Sequence, residues 1–438
     1  MQKAIKDAAN EKTRRWSRRE VYLASFLALL AVSAVGVSLY GNRGRYEHVD
    51  FRLFYGWWTE VQEHIDPYRA FQKGDLVRGS QQLPLVCNNT PALVFIFSPL
   101  AQLPQPVAFW IWQLGQLSCL VLAVILLMRA LEPRISGATI LLAVALVLLF
   151  PPLHGSLHYA RPTPMLLALV CASWFFDQRS KPAASGLTLA MAALLKLYPA
   201  AASGYFLFRR RLSVLMWATF FAALGVLVTG VKYWREFFVY GVPIITNSTY
   251  VPSDGRAVSL LLNFNYLFGQ LFGVPGEPGR WITASVLTVV VGLMLIALAG
   301  TLAANLYPSA EVMGLYFGVW IILSLLLSPI SWNNDLVFLM PAYVFSIICF
   351  ARGLLPSRTH IVWIGLCALL QATDFFFAGL RPLHIFPVSI LILFAAMCAA
   401  VRSARPDVSS SQRIFRVCEA DTQITQRGHP TSSRSTSM

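Results

Sequence analysis

Residues 179–211 read RSKPAASGLTLAMAALLKLYPAAASGYFLFRRR, and this stretch decides how the chain folds. Two apolar runs, 183–197 and 198–208, sit between basic flanks: Arg179 and Lys181 before them, Arg209, Arg210 and Arg211 after them. Together the runs are too long for one bilayer crossing of about 20 residues and too short for two ordinary ones. Basic residues collect on the cytoplasmic side of a membrane, so both flanks belong there. The runs between them must then form a broken hairpin that turns near Tyr198-Pro199. Short broken helices are tolerated in a bilayer where they line a cavity, and this pair carries one lysine, Lys196, at its turn.

The rest of the chain agrees with a membrane reading. Its 438 residues are 56% hydrophobic and only 13% charged, against about 25% charged in an average soluble protein. With a mean hydropathy of +0.59, this composition excludes a soluble enzyme. The expected architecture is all-α and polytopic, with about twelve spans near 21–40, 106–128, 135–152, 163–177, 183–197, 198–208, 212–231, 281–305, 312–329, 335–351, 360–379 and 384–401. Residues 1–20 form a basic cytoplasmic tail, 21–401 the transmembrane domain, and 402–438, rich in Ser, Thr and Arg, a disordered cytoplasmic tail. On this topology 22 of the 35 basic residues lie inside. The net charge of +15 is thus explained by orientation, and a nucleic-acid partner is not needed. The seven cysteines show no metal-ligand spacing or disulfide pattern, and no internal repeat is evident.

Two long stretches, 41–105 and 232–280, fall outside the membrane on the far face. In the first, Phe51, Phe54, Tyr55, Trp58, Gln62 and Ile65 recur at helical spacing, which predicts an interfacial amphipathic helix over 51–65. The 14 residues from Pro91 to Pro104 are too few to cross and should be re-entrant or interfacial. Polar groups gather at predicted helix ends on this outer face: His48 and Asp50, His158 and Arg161, Lys196, and the run Ser328-Pro329-Ile330-Ser331-Trp332-Asn333-Asn334-Asp335. A transporter places its ionisable groups near the midplane, between two openings, whereas chemistry at one face needs one cluster at that face. The pattern favours an enzyme over a lipid flippase, which stays open as an alternative together with an inactive cell-envelope assembly partner.

The order of "DFRLFY", "DPYRAF", a proline-containing apolar segment, "LTLAMAALLKLYP" and "SPISWNNDLVFLMP" resembles glycosyltransferase family 87, the polyprenol-phosphate-mannose-dependent mannosyltransferases of the C superfamily. The likeness runs loosely from about Val21 to Pro341. It implies a C-superfamily fold in the cytoplasmic membrane, an active site open to the outside, and a polyprenyl-phosphate sugar donor, mannose first. The acceptor is a glycan or glycolipid, and the other partner is membrane lipid.

A polyprenyl phosphate leaves as a stable anion, so the site needs a carboxylate for the acceptor's proton and cations for the phosphate. The family places its catalytic aspartate at the start of the first outer loop, which points to Asp50; the alternative reading of Asp50 is a helix N-cap. Lys196 is the first candidate for the phosphate, because a lysine inside an apolar helix costs roughly 2.5–3.5 kcal/mol to insert, although it also has the option of snorkelling to the interface. Arg161 is the second, at a place where the family more often has a Gly-Gln and Asn pattern. After SPISW the family commonly has histidine; here Asn333, Asn334 and Asp335 stand instead, as sugar-binding candidates. Tyr55 and Trp58 are aromatic candidates for stacking on a sugar. His48, His154 and His158 read as polar loop residues. No redox cofactor, nucleotide or tightly bound metal is expected.

Overall fold

The structure is a computed structural model that describes residues 18–41, 50–69, 87, 89–131, 137–242, 257–272, 278–306, 309–329, 331–351, 354–355, 358–376 and 385–404. His48, most of both expected tails and part of each outer stretch lie outside the described residues. Among those described, every regular element is helical, apart from an isolated bridge between Ala257 and Trp332.

In chain order the helices are α1 (Arg18–Gly41), α2 (Asp50–Gln62), α3 (Pro91–Phe97), α4 (Gln105–Leu131), α5 (Gly137–Leu148) and α6 (Pro151–His158). Next come α7 (Thr163–Gln178), α8 (Pro182–Leu195), α9 (Ser203–Phe208), α10 (Leu212–Thr229), α11 (Val231–Glu236) and α12 (Leu260–Phe272). The last five are α13 (Pro278–Leu302), α14 (Ala310–Leu326), α15 (Met340–Ala351), α16 (Arg358–Phe376) and α17 (Ile385–Ser403). Proline opens α6, α7 and α8 within their first two positions, where its missing N–H costs no hydrogen bond. Among the described residues five segments are long and apolar enough to cross a membrane: Gln105–Leu131, Leu212–Thr229, Ile282–Leu302, Asn333–Phe350 and Phe386–Ser403. Shorter apolar helices include Ser25–Tyr40, Pro182–Leu195 and Ala310–Leu326. Helices α6, α11 and α12 were not among the expected spans; each is short or lies in an outer stretch.

Helix α14 is apolar on every side and therefore sits at the centre, with every residue from Glu311 to Leu326 buried. Trp174 of α7 stacks on its Phe317, and Tyr205 of α9 meets Tyr316 and Phe317. Gly204 lets α9 approach still closer, since a Cβ there would come within 2.0 Å of the Trp320 ring. At the periphery α10 leaves Met216, Phe220, Leu224 and Val228 exposed, and α13 leaves Ile282, Val286, Val289 and Leu293 exposed. Such an apolar outer surface is what a bilayer covers.

The expected hairpin is present. A Cβ on Gly186 of α8 would touch Val214, Trp217 and Ala218 of α10, while Gly225 of α10 lies against Leu194 of α8. Ascending numbers thus match ascending numbers, so α8 and α10 run parallel and the chain between them must double back. It does so through a break at Lys196, whose backbone is extended (φ −156°, ψ 138°), a 3-10 turn Tyr198–Ala202, and α9. Pro199 has no N–H to give the Leu195 carbonyl four residues earlier; the Thr90 hydroxyl donates to that oxygen instead, at 2.8 Å. At the other end Arg211 pairs with Asp177 of α7 at 3.5 Å, which places both basic flanks together.

Candidate active site

The turn of the hairpin meets three other segments at the end of the bundle opposite Asp177 and Arg211. Helix α7 spans the distance, about 24 Å for its 16 residues. At its N-terminal end Arg161 precedes Thr163; at its C-terminal end stands Asp177. Stretches 41–105 and 232–280 both reach the Arg161 end, the first through Asp50 on Arg161 and the second through the Val258 N–H on the Ser331 carbonyl, and they meet each other. Arg69 pairs with Glu236, Tyr68 packs edge-on against Phe237, and Phe95 packs against Tyr233.

Four ionisable side chains from four distant parts of the sequence converge here. Arg161 Nε lies 2.7 Å from Asp50 Oδ2, as a charge contact and not an aligned hydrogen bond. Lys196 Nζ lies 3.4 Å from Asp335 Oδ1. The two pairs adjoin: Lys196 and Asp335 each also feel the charge of Arg161, and Lys196 feels that of Asp50. Two acids and two bases make a neutral cluster, which is the condition for keeping charges in a low-dielectric site.

The four differ in how firmly they are held. Asp335 is fully buried and takes three donors: Thr163 Oγ1 at 2.7 Å and Lys196 on Oδ1, and the Trp332 backbone N–H at 3.1 Å on Oδ2. It opens the 3-10 helix Asn333–Leu339, whose entry is fixed by the Val258 N–H on the Ser331 carbonyl at 2.9 Å and by the Ser331 hydroxyl on Leu325 at 2.9 Å. Asp50 is the more open carboxylate, 27% exposed in the first turn of α2. Lys196 reaches the cluster at the longer contact distance, with its ammonium 5.1 Å above the Tyr198 ring.

Arg161 is aimed by its neighbours in α4. The turn that carries it has Ala160 in the left-handed region (φ 53°), and α4 grips it at successive points. Trp112 donates to the Ala160 carbonyl at 2.8 Å, Gln113 to Leu157 at 2.6 Å, and Gln116 accepts the Met165 N–H at 3.1 Å. Sequence reasoning missed Gln113, Gln116, Thr163 and Tyr198 as parts of the site. The signal was available for the two glutamines: amides inside an apolar 27-residue helix need partners, and both are buried.

Two expected residues fall elsewhere. Trp58 is 1% exposed and enclosed by Phe51, Phe54, Phe97 and Trp112, so it has no face to offer a sugar; its large ring is core packing between α2 and α4. Tyr55 donates its hydroxyl to the Leu103 carbonyl at 2.8 Å and ties α2 to the end of the re-entrant segment. Asn333 and Asn334 are buried beside Asp335. Among the described residues no group of three His, Cys, Asp or Glu side chains is arranged for a metal, and Glu63, just past the end of α2, is exposed.

The likeness read from the motifs is matched by comparison with known proteins. Glycosyltransferase family 87 matches residues 89–329, more than half of the chain, which includes Arg161 and Lys196 but stops short of Asp50 and Asp335. Two relatives come from Mycolicibacterium smegmatis. A polyprenol-phosphate-mannose-dependent alpha-(1-2)-phosphatidylinositol pentamannoside mannosyltransferase is 29% identical over 273 residues, 59% of this chain. The match spans 60% of that relative's length. A polyprenol-phosphate-mannose-dependent alpha-(1-2)-phosphatidylinositol mannoside mannosyltransferase is 26% identical over 320 residues, 68% of this chain and 69% of its own. An all-helical chain with an apolar exterior, a charged cluster at one end and this match over its centre belongs to glycosyltransferase family 87.

Proposed function

We propose that the chain transfers mannose from a polyprenyl-phosphate donor to an extracytoplasmic glycan or glycolipid, as an inverting enzyme of the cytoplasmic membrane. Its architecture is the C-superfamily one, with about twelve spans, both termini inside, and the charged cluster facing out. The observation that carries this reading is the convergence of Asp50, Arg161, Lys196 and Asp335 at the end of the bundle opposite the arginine-rich end. The names of the two mannosyltransferase relatives supply the donor.

The chemistry balances on these residues. The acceptor hydroxyl oxygen attacks the anomeric carbon while the bond from that carbon to the phosphate oxygen breaks, and the bonding pair leaves with the polyprenyl phosphate. The hydroxyl proton passes to Asp50. The departing phosphate gains one negative charge as Asp50 loses one, so the charge of the site is unchanged across the step. Lys196 and Arg161 hold the phosphate, and attack from the opposite face turns a beta-linked donor into an alpha glycoside.

Purified protein incubated with labelled polyprenyl-phosphate mannose and membrane lipids tests the proposal. Label should appear in a glycosylated lipid or glycan. Label that crosses a bilayer still attached to its polyprenyl phosphate assigns a flippase, and absence of product with every polyprenyl-phosphate sugar assigns an inactive assembly partner.

A further inference from the structure

The Asp177 end of the bundle carries a different kind of cluster, in which the exposed charges are all positive. The turn between α7 and α8 supplies Arg179 and Lys181, the turn between α9 and α10 supplies Arg209, Arg210 and Arg211, and Arg129 stands in the last turn of α4. These segments form one surface. Arg179 reaches the Arg129 carbonyl at 3.5 Å, and Arg211 reaches across to Asp177 at 3.5 Å. Arg129, Arg179, Lys181, Arg210 and Arg211 are exposed, whereas Asp177 is buried and already feels both Arg209 and Arg211. Glu311, in the first turn of α14, is likewise buried.

The fold does little to offset this charge. Lys181 and Arg211 directly precede α8 and α10, where a cation meets the positive end of the helix dipole, and neither helix has an acid in its first turn. Orientation in a membrane asks for a surplus of basic residues on one side, but not for five exposed ones on three adjoining segments. The surface next to them is apolar. Starting at the basic turn, α10 leaves Leu212, Met216, Phe220 and Leu224 exposed at intervals of four residues, so they lie along one side of the helix. This stripe is about 18 Å long, enough to cross one leaflet of a hydrocarbon core about 30 Å thick. Leu207 of α9 is exposed beside the same turn.

We infer that this end of the bundle binds an anionic phospholipid, with its headgroup on the basic turns around Lys181 and Arg210 and an acyl chain along the α10 stripe. Charge and apolar track stand in the order in which such a lipid carries them. A soluble anion matches the cations and leaves the stripe bare; a zwitterionic lipid covers the stripe and leaves the positive charge unmatched. By offsetting the repulsion between the two turns, the lipid holds together the base of the hairpin whose far end carries Lys196. The inference rests on the membrane reading of the fold and not on the transfer reaction, so its test needs no sugar donor.

The full chain, purified in a neutral detergent, is titrated with phosphatidylglycerol, with phosphatidylcholine of the same acyl chains and with inorganic phosphate. Binding is read from native mass spectra and from the unfolding temperature. Wild-type protein should bind phosphatidylglycerol about tenfold more tightly than phosphatidylcholine, with a preference that shrinks as salt is raised, and should bind inorganic phosphate more weakly than either lipid. The double variant Lys181→Gln/Arg210→Gln changes two exposed side chains, so it should fold as wild type does and lose the preference, at about fivefold for each charge removed. Leu212→Ser/Met216→Ser should weaken both lipids alike. Lys232→Gln, which removes an exposed cation of α11 at the Arg161 end, should change nothing. Equal affinity for the two lipids, a preference that survives Lys181→Gln/Arg210→Gln, or an equal loss in Lys232→Gln overturns the basic surface as the headgroup site. Lipid binding unchanged by Leu212→Ser/Met216→Ser overturns the acyl track, and inorganic phosphate bound as tightly as phosphatidylglycerol gives the surface to a soluble anion and overturns the inference as well.

Discussion

Replacing Asp50 by asparagine separates a catalytic base from a structural counter-ion. Asn keeps the size of the side chain and an oxygen to set against Arg161, but it cannot accept the acceptor's proton. The side chains of Asp50 and Arg161 are only 27% and 18% exposed, so losing this largely enclosed pair costs stability on the order of 1–3 kcal/mol. A missing general base lowers the rate by about 10²–10⁴, equivalent to roughly 3–5 kcal/mol of barrier. The two effects are read separately: unfolding reports the lost pair, and the rate of folded protein reports the lost base. The assay is initial-rate transfer by protein shown to be inserted and folded, for wild type, Asp50→Asn, Arg161→Gln and the double variant. If Asp50 only neutralises Arg161, the double variant is no slower than Arg161→Gln alone; if Asp50 is the base, the double variant loses a further factor of about 10²–10⁴. A folded Asp50→Asn protein that turns over at the wild-type rate, or a double variant as fast as Arg161→Gln, refutes the assignment.

Lys196→Met should raise the KM for the donor about ten- to a hundredfold with a smaller change in the acceptor's dependence, as read from two-substrate kinetics. Gly204→Ala should lower the unfolding temperature in detergent, by about 1–3 kcal/mol of stability, because its Cβ would fall within 2.0 Å of the Trp320 ring; Gly365→Ala, where nothing lies within 4 Å, should be neutral or better. The Glu60 carboxyl is raised from 4.5 to about 7 by burial first and by Glu63 and Asp66 next. The unfolded chain therefore gives up its proton before the folded one does, and stability falls as pH rises from about 4.5 to about 7, then levels off. Glu60→Gln should remove that fall, on the order of 2 kcal/mol after allowing for solvent screening, in thermal unfolding curves taken across this range. In intact cells a membrane-impermeant thiol reagent should label Glu63→Cys but not Arg210→Cys, both on a background without other reactive cysteines; the reverse pattern inverts the orientation.

Much of this protein could be read along the chain. Runs of apolar residues name the membrane as solvent, and a bilayer leaves a backbone few options besides helix, so the all-helical fold followed from composition and run length. The hairpin at 183–208 was legible for the same kind of reason: its basic flanks and Pro199 are local signals that act on the chain wherever it folds. Asp50, Arg161, Lys196 and Asp335 were visible because ionised groups at the ends of apolar helices are costly and few.

Their pairing was a different matter. Nothing in the spacing of residues 50, 161, 196 and 335 tells that Asp50 meets Arg161 while Asp335 meets Lys196, since these contacts depend on how α2, α7, the hairpin and the end of α14 pack around one another. Trp58 shows the same limit from the other side. An interfacial tryptophan reads alike in sequence whether it faces a sugar or a protein core, and only the arrival of Phe97 and Trp112 from other segments buried it. The division has a physical cause: cost of insertion and loss of a backbone donor are properties of one residue in its solvent, whereas partner choice is decided by the geometry of elements far apart in the chain.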